Sequence, residues 1–242
     1  MTRKRDRKAG ADFSAVFDMD GVIVDNRVYH FRAWEEFARE HGLRFESESF
    51  KNNLFGRVNR DILRGLCGGE LDDQQARLYA AEKEALYRKL YKGHVEPARG
   101  LVRFLKALKA EGIPTAVATS APRVNLDFVL DEAALRPYFE AFVDIGAVRK
   151  GKPAPDLYLK AAEELRRKPG ECVAFEDSFP GVESALAAGM RVVGVTTTHT
   201  ARELGHVHRV IGDFREVTVE RLRSLFAVPP SDQSERRGTR LP

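Results

Sequence analysis

The chain reads as an α/β protein built on a parallel sheet, with an all-helical unit inserted after the first strand. Three observations predict this. From residue 101 onward, short β-branched and aromatic runs alternate with amphipathic stretches, the pattern of strands connected by helices. A further strand-like run at Phe13, Ala15, Val16 and Phe17 is separated from the others by some sixty residues with no strand pattern. Lastly, acids, hydroxyls and a lysine recur just past the strands, the end of a parallel sheet where a ligand crevice forms.

In chain order, the first strand stops at Asp18 and Asp20, and Gly21 then permits a turn that residues with a Cβ resist. Residues 28–40 carry Phe31, Trp34, Phe37 and Ala38 at helical spacing. Further helices are expected at 60–66 and 72–91, the second with an apolar stripe of Leu78, Ala81, Ala85, Leu86 and Leu90. Residues 92–100, KGHVEPARG, have the glycine and proline punctuation of a linker. Strands follow at 115–118, 142–145, 172–175, 191–195 and 209–211. The helices between and around them are expected at 101–111, 123–132, 155–167, 182–188 and 219–226. The first strand finds partners only among these later strands, so residues 13–27 and 97–228 form the core and residues 28–96 a helical cap.

A chain of 242 residues that is 43% hydrophobic can bury a sizeable core. Its formal net charge is +4, yet residues 1–12 carry +3 and residues 229–242 carry +1, so the folded body is near neutral. The tails read as disordered, and the charge distribution argues against nucleic acid as a partner. No run is long enough to span a bilayer, and acids interrupt any signal-like segment. Cys67 and Cys172 read as reduced thiols. The expectation is a cytoplasmic monomer or weak dimer that does not engage membranes.

The strand ends carry the chemistry. Asp18 and Asp20 lie past the first strand, Thr119 and Ser120 past the second, Lys152 in the loop after the third, and Glu176 and Asp177 past the fourth. Singly, each also fits a structural role: paired turn acids, a helix cap, a solvated loop lysine. Gathered in one crevice, they supply phosphoryl transfer. Asp18 can attack phosphorus and carry an aspartyl-phosphate, while Asp20 serves as acid and then base. Mg²⁺ suits Asp18, Glu176, Asp177 and the Asp20 carbonyl. Thr119 and the Ser120 amide can donate to phosphoryl oxygens, and Lys152 can offset their charge.

The segments FDMDGVIVDN, ATSAP, GKPAPD and FEDSFPGVESALAAG resemble, in order, the four motifs of the haloacid dehalogenase-like (HAD) phosphotransferases, with coverage from about residue 13 to 226. The resemblance implies a Rossmann-like core with a helical cap, and within the family the β-phosphoglucomutases and sugar-phosphate phosphatases are most alike. Asp20 sets the chain apart from the true dehalogenases of the family. By the same resemblance, His30 in YHFRAW matches the mutase hinge histidine that couples cap closure to proton transfer. Lys83 matches a cap lysine and Arg60 a phosphate-binding cap arginine, although His30 also fits a hinge without chemistry and the other two a solvated helix face. The chain departs from the mutase pattern at Phe55, where a lysine is expected, and in a loop one residue longer around Arg57, which could substitute for it. A mutase needs a second phosphate site and a phosphatase does not. The expectation is therefore a phosphatase acting on a small phosphorylated sugar, with the mutase as alternative and a non-catalytic phosphometabolite-binding protein behind both.

Overall fold

A computed structural model describes residues 12–45, 59–69 and 71–227. Its centre is a six-stranded sheet in the order β3-β2-β1-β4-β5-β6, with every neighbouring pair parallel. The strands are β1 (Ser14–Phe17), β2 (Thr115–Ala118), β3 (Ala141–Val143), β4 (Cys172–Glu176), β5 (Arg191–Val195) and β6 (Arg209–Ile211). The strand order reverses direction between β1 and β4, and a crevice opens there beyond the carboxyl ends of the strands.

The middle of the sheet is buried on both faces, so β1 and β4 read as continuous apolar runs. Phe13, Ala15 and Phe17 face one side, where α4 (Leu101–Ala110), α5 (Arg123–Glu132) and α8 (Val219–Ala227) supply Phe104, Leu126 and Leu222. Val16 faces the other, against Leu157 and Ala161 of α6 (Asp156–Glu164) and Val182 and Ala185 of α7 (Phe179–Ala187). Phe17 stacks on Phe175 of β4 at 4.6 Å, with Phe104, Phe139 and Phe214 around the pair. This aromatic packing fixes β1 and β4 side by side, and register pairs Phe17 with Phe175. Asp18 and Glu176 are therefore the next residues on adjacent strands.

The cap consists of α1 (Arg27–Glu40), α2 (Asn59–Leu66) and α3 (Asp73–Tyr91). Trp34 and Phe37 of α1 and Ile62 and Leu63 of α2 form its small apolar centre, with Tyr79 of α3 packed against it. Asp72 caps α3 by accepting from the Gln75 amide. The chain enters and leaves the cap through two paired linkers. Val24 bridges Pro97, and the Ala98 amide donates to the Ile23 carbonyl at 2.8 Å.

The expected elements shift in three places. β3 lies earlier than residues 142–145, because the Asp144 carboxylate accepts from the Gly146 amide and turns the chain into a short 3-10 segment. α6 ends at Glu164, short of residue 167, and Arg166 sits in the left-handed region at φ +56°. α7 starts at Phe179, three residues early, with Ser178 as its cap and Pro180 in the first turn, where a missing N–H costs nothing. Pro180 and Gly181 thus belong to the helix.

Candidate active site

Asp18 follows β1 directly, and its amide donates to the Phe175 carbonyl at 3.0 Å, so the backbone that carries it is still tied to the sheet. Beyond it Gly21 turns at φ +81°. A Cβ there would come within 1.9 Å of Asp177 Oδ2, so only glycine lets the β1 turn approach the β4 acids. Gly181 has the same role behind Glu176, whose carboxyl group lies 2.0 Å from where its Cβ would be.

One ammonium meets these acids. Lys152 Nζ lies 2.7 Å from Asp18 Oδ1 and 2.5 Å from Glu176 Oε1, with all three side chains buried. Tyr158 of α6 donates to the same Glu176 oxygen at 2.5 Å. Asp18, Glu176 and Asp177 each place a carboxylate oxygen within 4.8 Å of the others. Burial pushes the Asp18 carboxyl up from 3.8 to about 7; Lys152 opposes this, while Glu176 and Asp20 add to it. Burial, then Glu176 and Asp18, likewise push Asp177 well above the carboxylate range. Burial alone would lower Lys152, but Asp18 and Glu176 outweigh it and its ammonium is held above the ordinary value.

Among the described residues, three buried acids face one cation, so all three can ionise together only if further positive charge is supplied. The Asp177 Oδ2 atom, buried and without a hydrogen-bond partner among the described residues, marks where compensation is missing. Carboxylate oxygens are the donors that Mg²⁺ prefers, so the residues present fit such an ion. Thr198 Oγ1 donates to the Asp177 carbonyl at 2.5 Å and fixes the backbone behind it.

Asp20 occupies a different environment. Its Oδ1 accepts from Asn26 Nδ2 at 2.6 Å, with His30 Nε2 at 3.8 Å. Burial pushes this carboxyl up, but His30 and then Asn26 outweigh burial and hold it below 3.8. The two acids of the first strand's end are thus driven apart, Asp18 upward and Asp20 downward, although only Met19 separates them. Lys83 Nζ contacts His30 Nδ1 at 2.9 Å. An ammonium can only donate, so Nδ1 accepts and the ring N–H is Nε2, facing Asp20. His30 stacks on Tyr87 at 3.9 Å and 6°, and Asn26 Nδ2 also contacts the Tyr87 hydroxyl at 2.6 Å.

A cavity of about 780 Å³ between core and cap gathers Asp18, Asp20, Gly21, His30, Arg60, Lys83, Thr119, Ser120, Lys152 and Asp177. Thr119 is buried, its amide donating to the Val143 carbonyl and its Oγ1 accepting from the Ala121 amide at 3.0 Å. Glu176 stands behind this wall and holds Lys152. Arg60 reaches the cavity while paired with Asp73. Lys83 is 1% exposed, its ammonium on Glu84 Oε1 at 2.8 Å as well as on His30. Arg57 and Phe55 lie outside the described residues. Sequence reading missed Tyr158, Asn26, Tyr87, Glu84, Asn59 and Asn125. Tyr158 sits in the apolar stripe of α6, indistinguishable there from a core tyrosine. Asn26 precedes α1 as a cap residue would, but its side chain turns to Asp20 instead.

A family profile described as haloacid dehalogenase-like hydrolase matches residues 14–189. A fructose-1-phosphate phosphatase of Escherichia coli (strain K12) is 33% identical over 180 residues, covering 74% of this chain and 94% of the relative. A β-phosphoglucomutase of Bacillus subtilis (strain 168) is 32% identical over 193 residues, covering 75% and 82% respectively. Among solved structures, a HAD hydrolase of family IA, variant 3, from Entamoeba histolytica superposes with a TM-score of 0.83 at 32% identity, over 89% of this chain and all of that one.

Proposed function

The chain belongs to the haloacid dehalogenase-like hydrolases, and from that premise we propose that it hydrolyses the phosphate ester of a small phosphorylated sugar through an aspartyl-phosphate on Asp18. The observation that carries this reading is the single ammonium of Lys152 set among the carboxylates of Asp18, Glu176 and Asp177, with Asp20 held apart in a polar network. An Asp18 oxygen attacks phosphorus as the bond from phosphorus to the sugar oxygen breaks, and Asp20, whose carboxyl group is held low in the free site and so must first take up a proton with the ester, gives that oxygen its proton. Asp20 then takes a proton from water, the water oxygen attacks phosphorus, and inorganic phosphate leaves with Asp18 regenerated. Lys152 offsets charge on Asp18 and on the phosphoryl group beside it. Thr119 and the Ser120 amide donate to the phosphoryl oxygens. Asp18, Glu176 and Asp177, with the Asp20 carbonyl, would hold Mg²⁺, which when bound neutralises charge between nucleophile and phosphate.

The division into a core of residues 13–27 and 97–228 and a cap of residues 28–96 underlies this reading, with the paired linkers at Val24 and Pro97 as its boundary. The cap supports hydrolysis over transfer between two positions of a sugar. Two of the cap cations that line the cavity are already paired, Lys83 with Glu84 and Arg60 with Asp73, which leaves less positive charge for a second phosphate. The mutase reading is favoured by one observation, that Arg60 and Arg77 both line the cavity from the cap side.

A panel of sugar phosphates with Mg²⁺ tests the proposal by release of inorganic phosphate. Release that disappears in Asp18→Asn, with the circular dichroism spectrum unchanged, is expected; equal turnover in that variant overturns it. Supplying β-glucose 1-phosphate with a trace of glucose 1,6-bisphosphate separates the two enzymatic readings, because glucose 6-phosphate as product favours the mutase. Phosphometabolite binding without turnover of any ester favours a non-catalytic binder.

A further inference from the structure

Cap and core meet along a second seam, which starts at the linker and runs outward where α3 lies on α5. Near the linker the Gly93 amide donates to Glu132 of α5 at 3.2 Å. Further along, Tyr87 and Tyr91 meet Phe128, each at 6.3 Å between ring centroids. At the far end, roughly 13 Å along the helix from Gly93, Asn125 of α5 is gripped from both sides by the cap. Its Nδ2 donates to Glu84 Oε2 at 2.5 Å, and its Oδ1 accepts from Arg88 Nη1 at 2.6 Å. The amide can adopt only this orientation, since a carboxylate only accepts and a guanidinium only donates. Asn125 is 1% exposed and Glu84 is 5% exposed, and both line the cavity that holds Asp18.

We propose that Asn125 is a positioning residue: it latches the linker-side half of α3 to the core and so seats the cap's polar chain over Asp20. The two oxygens of Glu84 divide the work. Oε2 takes Asn125, while Oε1 takes Lys83 and Asn59, and Lys83 in turn fixes His30 beside Asp20. A rigid cap turning about its linkers lifts α3 from α5, and the bonds to Asn125 break when the cavity opens to admit an ester. Both partners are polar and line the cavity, so each is solvated once apart, which makes the latch reversible in a way that an apolar contact of the same size is not. The effect on turnover rests on the phosphatase reading above; the seating of the cap does not.

An exchange of donor and acceptor tests this. Asn125→Asp sets a second carboxylate against Glu84, and Glu84→Gln removes the acceptor. In the double variant, the amide nitrogen introduced on α3 donates to the carboxylate introduced on α5, and the oxygen of that same amide still accepts from Lys83 and Asn59. Hydrogen exchange should rise about tenfold in peptides covering residues 76–90 and 123–130 in each single variant, and return to within about twofold of wild type in the double. The kcat/KM for the best ester of the panel should follow the same pattern. Asn125→Ala, which removes both bonds without adding charge, replaces Asn125→Asp if that variant does not fold. Unchanged exchange in the single variants, or loss that the double variant does not restore, overturns the latch. Absence of phosphate release by the wild-type protein would count against the phosphatase reading and leave the exchange experiment to decide the latch.

Discussion

Replacing Asp18 by Asn should make the metal-free protein more stable while removing its turnover. Asp18 is buried, and its carboxyl group is pushed from 3.8 to about 7 chiefly by that burial. An acid whose folded value is raised ionises first in the unfolded chain, so stability falls as pH climbs from about 4 and levels off above about 7. The gap corresponds to up to about 4 kcal/mol at pH 8. For a chain of this size that is up to roughly 8–16 °C in melting temperature. Asparagine cannot ionise, yet its side-chain oxygen can still accept from Lys152. Thermal melts of both proteins in EDTA, from pH 4 to pH 8, give the test. The curves should nearly coincide at pH 4, and the variant should gain steadily to about pH 7 and hold that gain to pH 8. Comparing the two proteins cancels other titrating groups. Adding Mg²⁺ should narrow the gap, since an ion at 100 times its Kd contributes about 2.7 kcal/mol to the native state that retains all its ligands. A melting-temperature difference that stays constant from pH 4 to pH 8 in EDTA would refute the claim that Asp18 is held ionised at a cost.

Gly21→Ala combines the strain of a left-handed backbone, about 1–2 kcal/mol, with a Cβ placed on Asp177 Oδ2; Mg²⁺ titration followed by melting temperature should show at least about tenfold weaker binding, and unchanged affinity would contradict the geometry. Lys152→Met leaves Asp18 and Glu176 without their ammonium, so kcat should fall about 10²–10³-fold, measured as phosphate release under saturating ester; a variant within twofold of wild type would remove Lys152 from the chemistry. Phe175→Ala opens the aromatic cluster behind the site and should cost about 3–5 kcal/mol in urea unfolding, with a loss below 1 kcal/mol showing that the stack on Phe17 does not hold the two central strands.

The chain's periodicity alone determined that six short strands occur, most of them separated by helices, and that the described residues between 28 and 91 hold helices and no strand, because burial on a parallel sheet demands unbroken apolar runs and a helix demands a stripe. It also determined which acids, hydroxyls and lysine stand at strand ends, since those positions follow from where each apolar run stops. Where elements stopped was less legible: the Asp144 turn and the Ser178 cap depend on single side-chain hydrogen bonds that no periodicity reports. What only tertiary structure decided is which side chains face one another across long separations. Tyr158 on Glu176, Glu84 between Lys83 and Asn125, and Asn26 on Asp20 each come from an ordinary helical or loop position whose local sequence fits a bland role. The first of these pairs is set by how α6 packs on the sheet, and the others by how the cap and its linkers are seated on it. That seating is a sum of contacts between residues far apart in the chain, such as Asn26 with Tyr87, 61 positions away, and no local pattern encodes it.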